Sequence, residues 1–315
     1  MNESIAQTAR KPFMTQFDAE KRHRLLMLIF VTLSTVLVVL VLIKGLPYYL
    51  LDPAQRPLSP EHYRLKPSGT VGLRLGMLGF FFFALVYLYP IRRHWPWLGK
   101  FGKTKHWLDC HVIMGLIAPI LITFHSSLKF QGFAGMAYWT MVALTLSGLV
   151  GRYLYAQIPK SLGAAEMSLR ELEEARSQLT QQLQVQKVLP LSDLERIFPL
   201  PDIERVQGMS LLRALVLMVS LDVARPFKIW KMRCRRAGTR TCILTMGGVL
   251  HTHNFELEKA IGIVRRQAML SKKILFLSKT QRVFHLWHVV HRPFSYSFAI
   301  LVAVHVTVVV LLGYF

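Results

Sequence analysis

A chain of 315 residues, 52% of them hydrophobic, sets 39 Lys+Arg against 17 Asp+Glu for a formal net charge of +22. That apolar fraction is ordinary, so the class is decided by where the apolar residues fall. Their clustering excludes an ordinary soluble enzyme and a secreted protein, and three cysteines (Cys110, Cys234, Cys242) are too few for a disulfide scaffold.

Residues 1–24 read as a polar cytoplasmic tail ending in Lys21-Arg22-His23-Arg24. The apolar run that follows is too long for a signal-peptide core and lacks a small-residue cleavage site. Five stretches then run 17 to 23 residues without Asp, Glu, Lys or Arg: Leu25–Ile43, Leu75–Ile91, His111–Leu128, Phe130–Gly151 and Pro293–Phe315. A bilayer core takes roughly 20 apolar residues of helix, so each is a span candidate. Spans one to four occupy 25–159, a basic and mainly helical cytoplasmic insert 160–282, and an interfacial segment with span five 283–315. The fold class expected is therefore an all-α membrane protein with five transmembrane helices.

Charge orients it. With the N-terminus cytoplasmic, 33 Lys/Arg fall inside and 6 outside, and 15 acidic residues inside against 2 outside. The Arg92–Lys105 loop alone carries five cations against one, Lys129, in the short outer loop, which is the positive-inside pattern. The C-terminus is then outside, as expected of a protein in a bacterial inner membrane. The excess charge comes with no zinc-finger spacing, RNP motif or basic heptad, so membrane lipid explains it and nucleic acid does not.

Within the insert, Ala164–Lys187 reads as an exposed helix, Leu211–Val223 as a short interfacial or packed helix, Thr241–Thr252 as a hairpin around Gly247-Gly248, and Phe255–Leu270 as helix. There is no GxGxxG, P-loop or iron–sulfur cysteine run.

The histidines of spans three and five carry the chemistry. His111 and His125 are 14 residues apart, and so are His291 and His305. Fourteen residues at ~100° each return to one helix face and rise roughly 21 Å. Both spans run from inside to outside, so His111 matches His291 in depth, and His125 matches His305. Two facing helices would present two stacked His–His couples, a geometry suited to two low-spin, bis-imidazole b-type haems. A lone intramembrane histidine is more often a packing residue, but two equal spacings on parallel spans are hard to obtain by accident. His106 and His288 lie about 100° off these faces. With His23, His94 and His285 they read as polar interfacial residues.

A porphyrin needs room and counter-charges. Gly135 and Gly148 on span four lie at the two histidine depths and are candidates for haem clearance, although small residues equally favour helix packing. Span two offers Gly72, Gly76 and Gly79. Candidate propionate partners are Arg152, Arg292, Arg92 and Arg93 inside, and Arg74 and Lys129 outside; topology signals explain these cations nearly as well.

HVIMGLIAPILITFH (His111–His125) and HRPFSYSFAILVAVH (His291–His305) resemble the ligand helices of the dihaem transmembrane cytochrome b superfamily, which includes respiratory cytochrome b and ferric-reductase types. The resemblance covers spans two to five and rests on spacing. It implies a four-helix dihaem bundle that moves electrons across the membrane. The large insert departs from the respiratory members, and no Pro-Glu-Trp-type quinol loop is present. Ferric-reductase members continue into a flavin and nicotinamide domain, so a dehydrogenase here is expected to be a separate subunit.

The function expected is that of a membrane electron-transfer subunit with no catalytic site of its own. Its partners would be a flavin or iron–sulfur protein or a cytochrome c, with quinone or quinol left open as a further ligand. The insert holds 21 Lys/Arg against 11 Asp/Glu and would suit an acidic partner. Two rivals predict no haem. One is a transporter of protons, metal or solute, disfavoured because the spans hold no Asp or Glu. The other is a structural anchor of a larger complex.

Overall fold

The computed structural model describes residues 13–158, 174, 177–178, 181–182, 201, 203–244 and 255–313. Its helices are α1 (Phe13–Leu50), α2 (His62–Leu65), α3 (Thr70–His94), α4 (Pro96–Gly99), α5 (Thr104–His125), α6 (Gly132–Gln157), α7 (Ile203–Gly208), α8 (Leu211–Leu244) and α9 (Phe255–Leu311), with a 3-10 turn at Arg56–Leu58. No strand occurs among the described residues.

Five segments are long and apolar enough to cross a membrane: Glu20–Leu50, His62–Arg92, Thr104–His125, Gly132–Gln157 and Ile261–Leu311. Their outward faces carry Leu28, Leu33, Ile43, Phe81, Leu146, Ile300 and Val310, all exposed in the isolated chain. A stripe of large aliphatics of that extent on a water-facing surface would be costly, whereas against lipid it is neutral. Lipid contact is thus the natural environment of these faces.

The chain divides into two compact units: Met1–Val150 with Val290–Phe315, and Gly151–Val289. Both boundaries fall inside long helices, α6 and α9. In the first unit α3 and α5 pack most closely. Gly79 permits this, since a Cβ there would stand 2.7 Å from Ile122 and 3.6 Å from the Ala118 carbonyl oxygen. Around this seam lies a core of Tyr48, Leu75, Phe82, Phe83, Leu121, Met141 and Phe298. In the second unit Leu154 of α6, Val206 of α7, Ala214 and Met218 of α8 and Phe276 of α9 form the core.

Three differences from the sequence reading have physical causes. Span five is the end of one continuous helix from Phe255 to Leu311 that passes through Pro293, because a single lost backbone donor is tolerated within a long apolar helix. The helix expected over Leu211–Val223 continues to Leu244, since its basic second half holds good helix formers. The hairpin expected at Thr241–Thr252 is helical over 241–244, and 245–254 lie outside the described residues. Of Ala164–Lys187 only Glu174, Ser177, Gln178, Gln181 and Gln182 are described, helical and exposed as expected.

Candidate haem-binding site

Helix directions come from four contacts in the first unit. The Nδ1 of His111 meets the Val86 carbonyl at 2.9 Å, and the Nδ1 of His125 meets the Gly72 carbonyl at 2.9 Å, so α5 runs antiparallel to α3. Tyr87 donates its hydroxyl to the Ser295 carbonyl at 2.6 Å, and Phe83 meets Phe298 edge-on at 4.9 Å, so the end of α9 is also antiparallel to α3. Hence α5 and the terminal part of α9 run the same way. Seven residues on from Phe298, His305 comes level with Gly76 of α3, the residue against His125. At the other end His291 precedes Ser295 by four residues, within about one turn of the level where His111 meets α3. Helix direction thus sets His125 and His305 toward one end of α5 and α9, and His111 and His291 toward the other.

The hydrogen bonds decide the tautomers. A carbonyl only accepts, so His111 and His125 must each carry a proton on Nδ1 and present the lone pair of Nε2. Metal-binding imidazoles are oriented in this manner, with the distal nitrogen donating to a backbone carbonyl. The Nδ1 of His291 lies 3.0 Å from the Ser147 hydroxyl on α6. Gly76 is shaped to His125: a Cβ there would stand 2.6 Å from Nδ1 and 2.7 Å from Cε1. The two α5 imidazoles are thus held so that each leaves Nε2 available as a ligand. No group of three or more His, Cys, Asp or Glu that could hold a metal gathers among the described residues.

The His125 end is fastened by the segment between α1 and α3. Arg56 is only 5% exposed. It donates from Nε to Leu51 O at 3.1 Å, from Nη2 to Tyr49 O at 3.0 Å, and from Nη1 to the Ser127 carbonyl, two residues beyond His125. Ser127 and Leu128 have left-handed backbones, with φ of 49° and 58°, an uncommon conformation for these residues that needs outside support. Besides Arg56, the Ser127 hydroxyl donates to Leu65 O at 2.6 Å, and Tyr48 Oη pairs with His62 Nδ1 at 3.0 Å.

The His111 end is ionic instead. Glu20 of α1 receives Lys105 Nζ at 2.6 Å, His106 Nε2 at 3.1 Å and Arg24 at 3.6 Å. His23 stacks on His106 at 3.8 Å between ring centroids and faces Asp109 at 3.6 Å. His23 and His106 are thereby held in polar contacts between α1 and α5. His288, with Phe284 and Trp287, belongs to an aromatic group of the second unit.

Other expected site residues are placed as follows. A Cβ on Gly148 would come 4.0 Å from His291 Cε1, an ordinary contact. At Gly135 the nearest neighbour is the Phe130 carbonyl oxygen, 2.3 Å from a notional Cβ, so a tight turn into α6 already requires glycine there. Arg74 and Arg292 are exposed, and Arg152 is half-buried in the second unit. Arg92 donates to the Leu98, Gly99, Phe101 and Gly102 carbonyls and to Thr104 Oγ1, and so organises the loop around α4. Lys129 is exposed.

Sequence reasoning gave no site role to Ser147 or Arg56, and offered Gly76 only together with Gly72 and Gly79, as room for a porphyrin. The Gly72, Gly76, Gly79 ridge was the one visible signal, because it puts small residues on a single face of α3. Ser147 and Arg56 carry no such pattern. No protein-family model, characterised protein or solved structure matches this chain.

Proposed function

We propose that this chain is a membrane electron-transfer subunit of the dihaem cytochrome b kind, holding two b-type haems between α5 and α9, one on His111 and His291 and the other on His125 and His305. The observation that carries the reading is the shared treatment of the α5 histidines: each gives its Nδ1 proton to a carbonyl of α3 and so keeps Nε2 as a ligand. A bis-imidazole iron porphyrin supplies reversible one-electron chemistry with no open coordination position. The chain's own part is to orient the imidazoles and fix the two couples roughly 21 Å apart along the helices. The first unit carries the buried apolar cluster of Phe82, Phe83, Leu121, Met141 and Phe298, which would keep water from the porphyrins. Gly148, Arg292 and Arg74 are proposed to border the porphyrins. Orientation follows the charge asymmetry, with the N-terminus and the His111 end cytoplasmic and the His125 end outside. Partner proteins and quinone would supply and remove the electrons at the two faces.

The test is a reduced-minus-oxidised spectrum with a haem count on the purified wild type and His305→Ala. The wild type should hold two non-covalent b haems, and the variant should lose one or turn it high-spin. A folded protein without haem would overturn the proposal and return the buried histidines to a transport path.

A further inference from the structure

In the second unit the inward face of α8 is fixed by a polar anchor. Asp222 accepts from Tyr153 of α6 at 2.7 Å and from Lys272 of α9, and pairs with Arg225 at 3.2 Å. Lys272 is 2% exposed, so this anchor is internal. Ala214 and Met218 pack on the same side. The opposite side is then determined: Leu212, Val216, Val219, Val223, Phe227 and Trp230 are all exposed. At ~100° per residue these six fall within about 80° of one another, a continuous apolar stripe some five turns long. No acid interrupts it, since the sole carboxylate of α8 is the inward Asp222. The helix holds eight cations (Arg213, Arg225, Lys228, Lys231, Arg233, Arg235, Arg236 and Arg240), six of them after Pro226.

We infer that this stripe rests on an anionic lipid surface, with α8 lying in the interface of the bilayer that its own neighbours enter. Two observations select lipid over a protein partner. The seven-charge excess of cations complements phosphate-rich headgroups, and an apolar stripe beside long basic side chains is the make-up of interfacial helices. The unit is also continuous with the spans: α6 and α9, which form its core with α8, are themselves among the helices long and apolar enough to cross a membrane. Val223 and Phe227 would sit at the headgroup–acyl boundary, with Arg213 and Lys231 reaching toward the phosphates. This inference is independent of haem content.

The test uses the full-length protein in lipid nanodiscs. Cys110, Cys234 and Cys242 are replaced by Ser, and a spin label is placed by Val223→Cys, by Val216→Cys as a second reporter, and by Glu204→Cys on the exposed side of α7 as a control. In discs with a quarter anionic lipid, labels at 216 and 223 should collide several-fold more with oxygen than with a water-soluble nickel chelate, relative to the control. That preference should fall in zwitterionic discs and when Lys228, Lys231, Arg233, Arg235, Arg236 and Arg240 are changed to Gln. Labels as accessible to nickel as the control would place the stripe in water and overturn the inference. Labels shielded from both reagents would give the stripe to another protein or a second copy, and equal oxygen exposure in zwitterionic discs would overturn the anionic requirement.

Discussion

At the His125 end the imidazole meets the Gly72 carbonyl and Gly76, and the buried guanidinium of Arg56 holds the Ser127 carbonyl two residues on, whereas the turns of α5 before His111 carry the ionic cluster of Glu20, His23, Lys105, His106 and Asp109. The first arrangement is uncompensated: every acceptor recorded for Arg56 is a neutral carbonyl, and a guanidinium stays charged at any working pH. The second is mutually neutralising and partly solvated. A permanent buried cation favours a nearby added electron, while screened and paired charges hardly matter. The two ends should therefore differ in reduction potential, with the His125 end higher and electrons drawn toward it from the His111 end.

The largest break in this comparison comes from Gly76→Val. Its Cβ would enter the His125 ring, which must turn and give up the Gly72 carbonyl. We expect half of the haem to be lost, with the surviving spectrum that of the His111 couple. Two retained haems would show that His125 is not held by α3.

Next in size is Arg56→Gln. The buried carbonyls of Tyr49, Leu51 and Ser127 lose their donor, at about 1–3 kcal/mol for a buried group left unpaired, so thermal stability should fall clearly. The higher of the two midpoint potentials should drop by about tenfold in the reduction equilibrium, ~59 mV for one electron. Arg56→Lys keeps the charge but not the fork, so it should recover the potential more than the stability. Equal potential losses in both variants would assign the effect to the turn at Ser127 and not to charge.

These two residues also show where sequence reasoning ends. Apolar runs expose spans because lipid acts on each residue separately, and a 14-residue spacing exposes paired histidines because helical periodicity is local. Gly76 acts by what it lacks, against a ring 49 positions away, and Arg56 by reaching a carbonyl 71 positions on. Neither relation has a period. Counting charges made Arg56 one of six outer cations, indistinguishable from exposed Arg74 or Lys129 until burial is known. Pro293 marks a break in most soluble helices, yet α9 continues through it, as one helix face shared by His291 and His305 requires. Gly135 earned a site role from its depth, while its backbone neighbour Phe130 gives it a local one.

Ser147→Ala sharpens the other end by a smaller step. The Ser147 hydroxyl is a partner of His291 Nδ1, and a single neutral hydrogen bond is worth about 1 kcal/mol. Both haems should remain, with a modest change confined to the lower potential and to the axial-ligand signature of that haem. A change in the higher potential would contradict the assignment of His291 to the His111 end.

The smallest effect is expected from Glu20→Gln, and its salt dependence is the most discriminating. The substitution removes the carboxylate that Lys105, His106 and Arg24 share and leaves a local excess of positive charge, so the lower potential should rise slightly at low ionic strength. These groups are partly exposed, and at ~1 M salt the screening length is about 3 Å, so the rise should vanish there. The drop caused by Arg56→Gln should persist in the same salt, because ions do not enter a buried guanidinium site. If both effects vanished together, the cation beside Ser127 would be as solvated as the cluster around Glu20, and the two ends would not differ electrostatically. If both persisted, the Glu20 cluster would be shielded by something other than water, which a docked cytoplasmic partner would provide.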